Sequence, residues 1–127
     1  MILIVDDELD MRIFMATLFE TSGYTAVATK NGTEGLKKAK AIAFDLIVLD
    51  VMMPGEGGVH MYRELKTDDR LKNIPVVMMS GVGKKSFLHY LKMLNLQMEN
   101  PIRQPEAYME KPPDPDKLLA LAVKLTG

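Results

Sequence analysis

The sequence predicts an α/β domain, a five-stranded parallel sheet with helices on both faces. Three observations carry this. Short apolar runs alternate five times with helix-period segments, the pattern of parallel strands joined by right-handed crossovers. The run at residues 45–49 is continuous rather than alternating, which suits a central strand covered on both sides. The strand ends carry polar residues: Asp6 and Asp7 after the first, Asp50 after the third, Ser80 after the fourth and Lys111 after the fifth. Ligands in an open α/β sheet bind at the carboxyl ends of strands. Three carboxylates, a hydroxyl and an ammonium are therefore expected to sit together.

The elements follow in order. ILIV at residues 2–5 reads as the first strand. A helix from about residue 9 to 22 follows, with Met11, Phe14, Met15, Leu18 and Phe19 recurring at threes and fours as its buried face. Gly23 is placed to end it. TAVA at residues 25–28 is a short second strand, and a helix over about 33–40 turns Leu36, Ala39 and Ala43 inward and Lys37, Lys38 and Lys40 to solvent. Residues 45–49 form the third strand, bounded by the loop through Met52, Met53 and Pro54. A helix over 59–66 packs through Met61, Tyr62 and Leu65. Residues 67–73 are polar loop. Pro75 heads the fourth strand, where its missing N–H is harmless. A fourth helix fits residues 85–96, with Phe87, Leu88, Leu91 and Leu94 on one side, and Tyr90, Met93, Leu96 and Met98 read as local packing. QMENPIRQPE is polar and proline-bearing and forms no regular element. A fifth strand covers 106–110. PPDPDK is a stiff turn in which Asp114 or Asp116 caps the last helix, and Leu118, Leu121, Ala122 and Leu125 mark that helix's buried stripe. Neither a linker nor a repeat divides the chain, so residues 1–127 read as one domain.

Composition agrees and excludes several classes. A chain of 127 residues, 47% apolar and 26% charged, supports one ordinary core. The net charge of -1 leaves no electrostatic footprint for nucleic acid or an anionic membrane. The lack of cysteine excludes disulfide and thiolate chemistry. No stretch approaches the ~20 apolar residues of a membrane span. MILIVDDE has no basic n-region, so the expected compartment is the cytoplasm. Met1 lies against the first strand and reads as a native amino end, whereas KLTG at the other end distinguishes nothing. Eleven methionines read as adaptable core filler. His60 and His89 read as surface residues at no zinc-ligand spacing. GEGG and SGVG follow neither GxGxxG nor GxxxxGK order, so no nucleotide fingerprint is present.

The motifs together resemble the response-regulator receiver domain of two-component signal transduction, the CheY-like superfamily. The acidic pair is Asp6–Asp7. The DxxMPxxxG signature is met by Asp50, Met53, Pro54 and Gly58, the hydroxyl-plus-small pair by Ser80–Gly81, and the Lys–Pro pair by Lys111–Pro112. Tyr108 stands three positions before that lysine, where the family carries an aromatic switch residue. The resemblance covers nearly the whole chain. It implies a flavodoxin-like (βα)5 fold with strand order 2-1-3-4-5 and a cis bond between Lys111 and Pro112. The chain departs from the family between Ser80 and Lys111. This stretch is longer than usual, with the surplus around residues 95–106, and the usual glycine-containing turn is replaced by Arg103-Gln104-Pro105-Glu106-Ala107.

The implied activity is that of a phosphoacceptor. Asp50 takes a phosphoryl group from a phosphohistidine of a sensor histidine kinase or phosphotransfer protein. Phosphorylating a carboxylate needs a nucleophilic oxygen, charge neutralisation and in-line access. Three crowded carboxylates call for a hard divalent ion. By resemblance, Mg²⁺, or Mn²⁺ in its place, is ligated by Asp7, Asp50 and the Met52 carbonyl, while Asp6 acts mainly through bound water. Lys111 pairs with Asp50 at rest and with a phosphoryl oxygen afterwards. Ser80 donates to another phosphoryl oxygen, and Tyr108 turns into the space that Ser80 vacates. Pro54, Gly58 and Pro112 shape the loops. The switched face is that of the fourth helix, fifth strand and fifth helix, which contacts a downstream protein or a second copy of the domain. In the family, Met52 and Val82 flank the path of a hydrolytic water, and apolar side chains there predict slow self-dephosphorylation. A second reading is a degenerate receiver that serves as a constitutive interaction or dimerisation module. A flavodoxin-like cofactor binder shares the fold alone, since two aspartates after the first strand repel a phosphate.

Overall fold

The continuous apolar runs do pair with one another, and the pleat of each strand divides its residues between two cores. The computed structural model describes residues 1–51, 58–81, 83, 85–86, 89, 92 and 104–127. Their elements are β1 (Ile2–Val5), α1 (Leu9–Thr21), β2 (Ala26–Thr29), α2 (Gly32–Ala41), β3 (Leu46–Asp50), α3 (Gly58–Thr67), β4 (Val76–Ser80), β5 (Ala107–Glu110) and α4 (Pro115–Thr126). The last helix expected from the sequence is thus α4. Of the helix expected over 85–96, Lys85, Ser86, His89 and Lys92 are helical. Phe87, Leu88, Tyr90, Leu91, Met93, Leu94, Leu96 and Met98 lie outside the described residues, as do Met52, Met53, Pro54 and Val82.

All strands are parallel, in the order β2-β1-β3-β4-β5. Successive strand residues face opposite sides. Leu3, Val5, Ile47, Leu49, Val76 and Met78 pack beneath α2 and α3 with Ala39, Met61, Tyr62 and Leu65. Ile2, Ile4, Leu46, Val48, Val77 and Met79 pack beneath α1 and α4 with Met15, Phe19, Leu118 and Ala122. Each fully buried aliphatic or aromatic side chain contributes about 1.5–3 kcal/mol of transfer free energy. This two-sided burial explains why β1, β3 and β4 lack an alternating pattern.

Local chemistry sets the ends. Asn31 caps α2 by accepting from the Glu34 amide at 2.8 Å. Asp114, not Asp116, caps α4, accepting from the amides of Asp116 at 2.9 Å and Lys117 at 3.2 Å. Gly23 follows α1 at φ 97°, a conformation that side chains disfavour. The Lys111–Pro112 peptide is cis.

Three expectations are corrected. Phe14 is not part of α1's buried face: it is 37% exposed, as are Leu9 at 59% and Ile13 at 56%. Apolar residues encircle more of α1 than the sheet covers, so Met15 and Phe19 are buried and the flank is not. Ala43 is exposed because α2 ends at Ala41, before Ala43 can share its inner face. The stretch 67–73 is not wholly polar loop, since Leu71 is buried in the α2–α3 core.

Candidate functional site

Strand register brings the polar ends level. Asp50 pairs with Met79, and Ser80 with Glu110. The ladder runs one residue further on each side: Asp6 N–H donates to Thr29 O at 3.0 Å, Val51 N–H to Met79 O at 3.0 Å, and Lys111 N–H to Ser80 O at 2.8 Å. Asp6, Asp50, Ser80 and Lys111 therefore share one edge of the sheet. Asp6 and Ser80 are fully buried, Asp50 is 3% exposed, and Asp7 and Glu8 face solvent.

Lys111 organises the cluster. Its Nζ lies 2.7 Å from Asp6 Oδ2, 3.0 Å from Asp50 Oδ2 and 3.1 Å from Glu8 Oε1. Burial alone would lower the lysine pKa, but the carboxylates of Asp6, Asp50 and Glu8 outweigh it and raise the pKa above the ordinary value of 10.5. The ammonium is therefore held charged. Its contact with Asp6 is a close ion pair without an aligned hydrogen bond, so the buried Oδ2 lacks a properly directed donor. Asp6 Oδ1 accepts from the Glu8 amide at 2.9 Å.

Glu8 is the residue that sequence reasoning missed. It is the N-cap of α1 but makes no side-chain cap there, and its carboxylate reaches Lys111 instead. The third acid in DDE was the available signal.

The acids can hold a cation. Ligand oxygens of Asp6, Asp7, Glu8 and Asp50 lie within 4.8 Å of one another. An all-oxygen, mostly anionic donor set with an under-satisfied buried oxygen fits a hard divalent ion such as Mg²⁺ or Mn²⁺.

Ser80 and Tyr108 are joined by a side-chain hydrogen bond. Burial raises the Tyr108 pKa, the Ser80 contact opposes this, and Glu110 adds to the rise. The Tyr108 hydroxyl therefore reaches Ser80. Gly58 lies against the backbone of Asp50: a Cβ there would overlap the Asp50 carbonyl oxygen and stand 2.6 Å from Val51 Cα. Pro112 follows the lysine across the cis bond. His60 and His89 are exposed, apart from this cluster.

Known proteins share this architecture. Residues 2–122 match the response regulator receiver domain. The polar-differentiation response regulator DivK of Brucella anthropi is 36% identical over 112 residues, 87% of this chain and 81% of that protein. The chemotaxis protein CheY4 of Vibrio cholerae superposes with a TM-score of 0.82 at 23% identity, covering 98% of this chain and 96% of that one. The receiver domain of Francisella response regulator 1452 gives 0.80 at 25% identity, covering 98% and 94%. With its sheet order and its matched span agreeing, the chain belongs to the response regulator receiver domain family.

Proposed function

We propose that residues 1–127 form one phosphoacceptor domain. It takes a phosphoryl group from a phosphohistidine of a sensor histidine kinase or phosphotransfer protein onto Asp50, in a reaction dependent on Mg²⁺ or Mn²⁺, and so switches a protein-interaction surface. The observation that carries this reading is the placement of Lys111 Nζ, 3.0 Å from Asp50 and 2.7 Å from Asp6 at the carboxyl edge of the sheet. A carboxylate oxygen of Asp50 attacks phosphorus, the P–N bond to the donor imidazole breaks, and its electron pair returns to the ring nitrogen. Lys111 offsets charge on the transferring group, and Ser80 donates a hydrogen bond to it. Asp7, Asp50 and the Met52 carbonyl would hold the divalent ion, with Asp6 acting through water, and the ion would neutralise charge around the acceptor.

Two surfaces support the partner assignment. Leu9, Ile13 and Phe14 are exposed on α1, immediately after Glu8 at the rim of the acidic cluster, where a phosphodonor must approach. Tyr108, Met109, Leu121, Lys117 and Lys124 line a cleft of about 390 Å³ between β5 and α4, part of the expected output face for a downstream protein or a second copy. The phosphoryl group brings about -1.5 to -2 charge to Asp50. Ser80 then turns toward it, which breaks or re-aims its bond to Tyr108 and changes that cleft. Among the described residues, no helix is long and apolar enough to cross a membrane; we assign the domain to the cytoplasm.

The test is intact mass after incubation with acetyl phosphate, with and without Mg²⁺, beside Asp50→Asn. One added phosphoryl group that needs Mg²⁺ and is absent from the variant supports the reading. No adduct on folded protein, with a competent receiver reacting in parallel, overturns it in favour of a constitutive interaction module. Slow self-dephosphorylation is part of the proposal, and a phosphoryl half-life of seconds in Mg²⁺ counts against it.

A further inference from the structure

The pocket lysine follows a short strand at the edge of the sheet. β5 has four residues, Ala107–Glu110, and among the described residues it is an edge strand paired with β4 alone. Its sequence, AYME, begins with three apolar residues in succession. Ala107 and Met109 pack toward α1 and α4, and Tyr108 toward the opposite core. A slip of one residue would shift the chain by about 3.3 Å and exchange its faces. That slip still offers apolar groups to both cores, so hydrophobic pattern specifies the register poorly. Yet Lys111 makes its contacts at 2.7–3.1 Å and tolerates no such shift.

A charge pair at the other end of β5 supplies the missing constraint. Glu106 precedes the first ladder pair, Val77 with Ala107. Its Oε2 accepts from the Val76 amide at 2.7 Å, so the side chain extends the ladder by one rung. Its Oε1 accepts from Lys66 Nζ at 3.0 Å. Lys66 lies at the end of α3 with its side chain 1% exposed, and its Nζ also donates to Lys72 O at 3.2 Å and Ile74 O at 3.0 Å. An ammonium has three N–H donors, and here the Lys72 and Ile74 carbonyls and the Glu106 carboxylate receive them. The Glu106 carboxylate is thus fixed by α3, by the turn after α3 and by β4 together.

We propose that Lys66 and Glu106 form a register pin, positioning residues that hold β5 so that Lys111 reaches Asp50. The pin rests on the acceptor reading above for its consequence in phosphoryl transfer, but its effect on register is separate. It also explains how the atypical sequence before β5 coexists with an intact pocket: the chain is re-indexed at Glu106, only five residues before Lys111.

The test uses the whole domain with Glu106→Ala, Glu106→Gln and Lys66→Met, at a temperature where circular dichroism reports each folded. Two quantities are read: the rate of phosphorylation by acetyl phosphate in saturating Mg²⁺, resolved into maximal rate and half-saturating concentration, and the exchange protection of the Lys111 amide, which donates to Ser80 O. Glu106→Ala should lower the maximal rate about tenfold at unchanged half-saturation and lower Lys111 protection about tenfold. Glu106→Gln keeps one acceptor oxygen and sets an NH2 donor against either the Val76 amide or the Lys66 ammonium, so both quantities should fall between those of Ala and the wild type. If Glu106→Ala does not fold, Lys66→Met carries the same comparison. A folded, less stable Glu106→Ala or Lys66→Met with maximal rate and Lys111 protection unchanged overturns the pin. If the wild type takes up no phosphoryl group, the acceptor reading falls, and Lys111 protection alone then supports or overturns the pin.

Discussion

Asp6→Asn should make the domain more stable in the absence of divalent ions. Asp6 Oδ2 is 2.7 Å from Lys111 Nζ, an attraction of about 6 kcal/mol at an effective dielectric of ~20. Against it stand the neighbouring carboxylates, whose ligand oxygens lie within 4.8 Å. Asp50 is buried, so its repulsion is about 3–4 kcal/mol on the same scale. Asp7 and Glu8 are exposed and contribute at most about 1 kcal/mol each. Attraction and repulsion therefore nearly cancel, and desolvation decides. Holding the carboxylate of Asp6 with no exposure costs several kcal/mol, and Oδ2 lacks an aligned donor to offset it. Asparagine keeps a carbonyl oxygen for the Glu8 amide, now at 2.9 Å from Oδ1. The expected gain is about 1–3 kcal/mol. The assay is urea unfolding in EDTA and in saturating Mg²⁺. In EDTA the midpoint should rise by roughly 1 M, since m is about 1–3 kcal/mol/M for small domains. Saturating Mg²⁺ should stabilise the wild type by about 2–3 kcal/mol at 100 times its dissociation constant, and the variant by less. An Asp6→Asn domain less stable than the wild type in EDTA would refute the reasoning: the pair with Lys111 would then outweigh both the repulsion and the burial cost.

Four further outcomes are expected. Gly58→Ala forces a Cβ to 2.6 Å from Val51 Cα, against backbone that cannot swing aside, and should cost about 1–3 kcal/mol in chemical unfolding and slow phosphorylation of Asp50. Gly23→Ala meets no atom within 4 Å, so only its positive φ is penalised; unfolding should show a loss of about 1–2 kcal/mol and normal phosphorylation. The Lys111 pKa is raised by its carboxylate partners, so its contribution to stability is complete below the unfolded value of 10.5 and is lost as pH rises through the higher folded value. Unfolding free energy measured from pH 9 to 12 should therefore fall more steeply in the wild type than in Lys111→Met. Ser80→Ala removes the contact that lowers the Tyr108 pKa, so the phenol should titrate higher still by ring-carbon NMR.

The strand ends were legible because the chemistry follows from position: an apolar run that stops at Asp50 or Ser80 places that side chain at the carboxyl edge whatever the helices do. Phe14 was misjudged because periodicity reports how wide an apolar arc is, not how much of it a neighbour covers. Glu8 was missed for a different reason. Its local role is to start α1, and only the fold brings Lys111, far along the chain, to its carboxylate. Lys66 falls at the end of the helix expected over 59–66, and nothing local to it signals a partner at Glu106. Pairs of this kind depend on how α3 and β5 lie against β4, which neither propensity nor pattern records.

Asp6 also ties the acidic cluster to the start of α1. Its Oδ1 holds the Glu8 amide at 2.9 Å and its carbonyl accepts from Arg12 Nη1 at 2.8 Å, while Glu8 supplies no side-chain cap of its own. The first turn of α1 is thus fastened through the same residue that faces Lys111. Local opening of a helix end takes little free energy, so a change in the ionic state of the cluster alters how often that turn frays. The amides of Glu8 and Arg12 become an unlabelled gauge of the pocket, readable by hydrogen exchange in a domain that has no tryptophan to report on it.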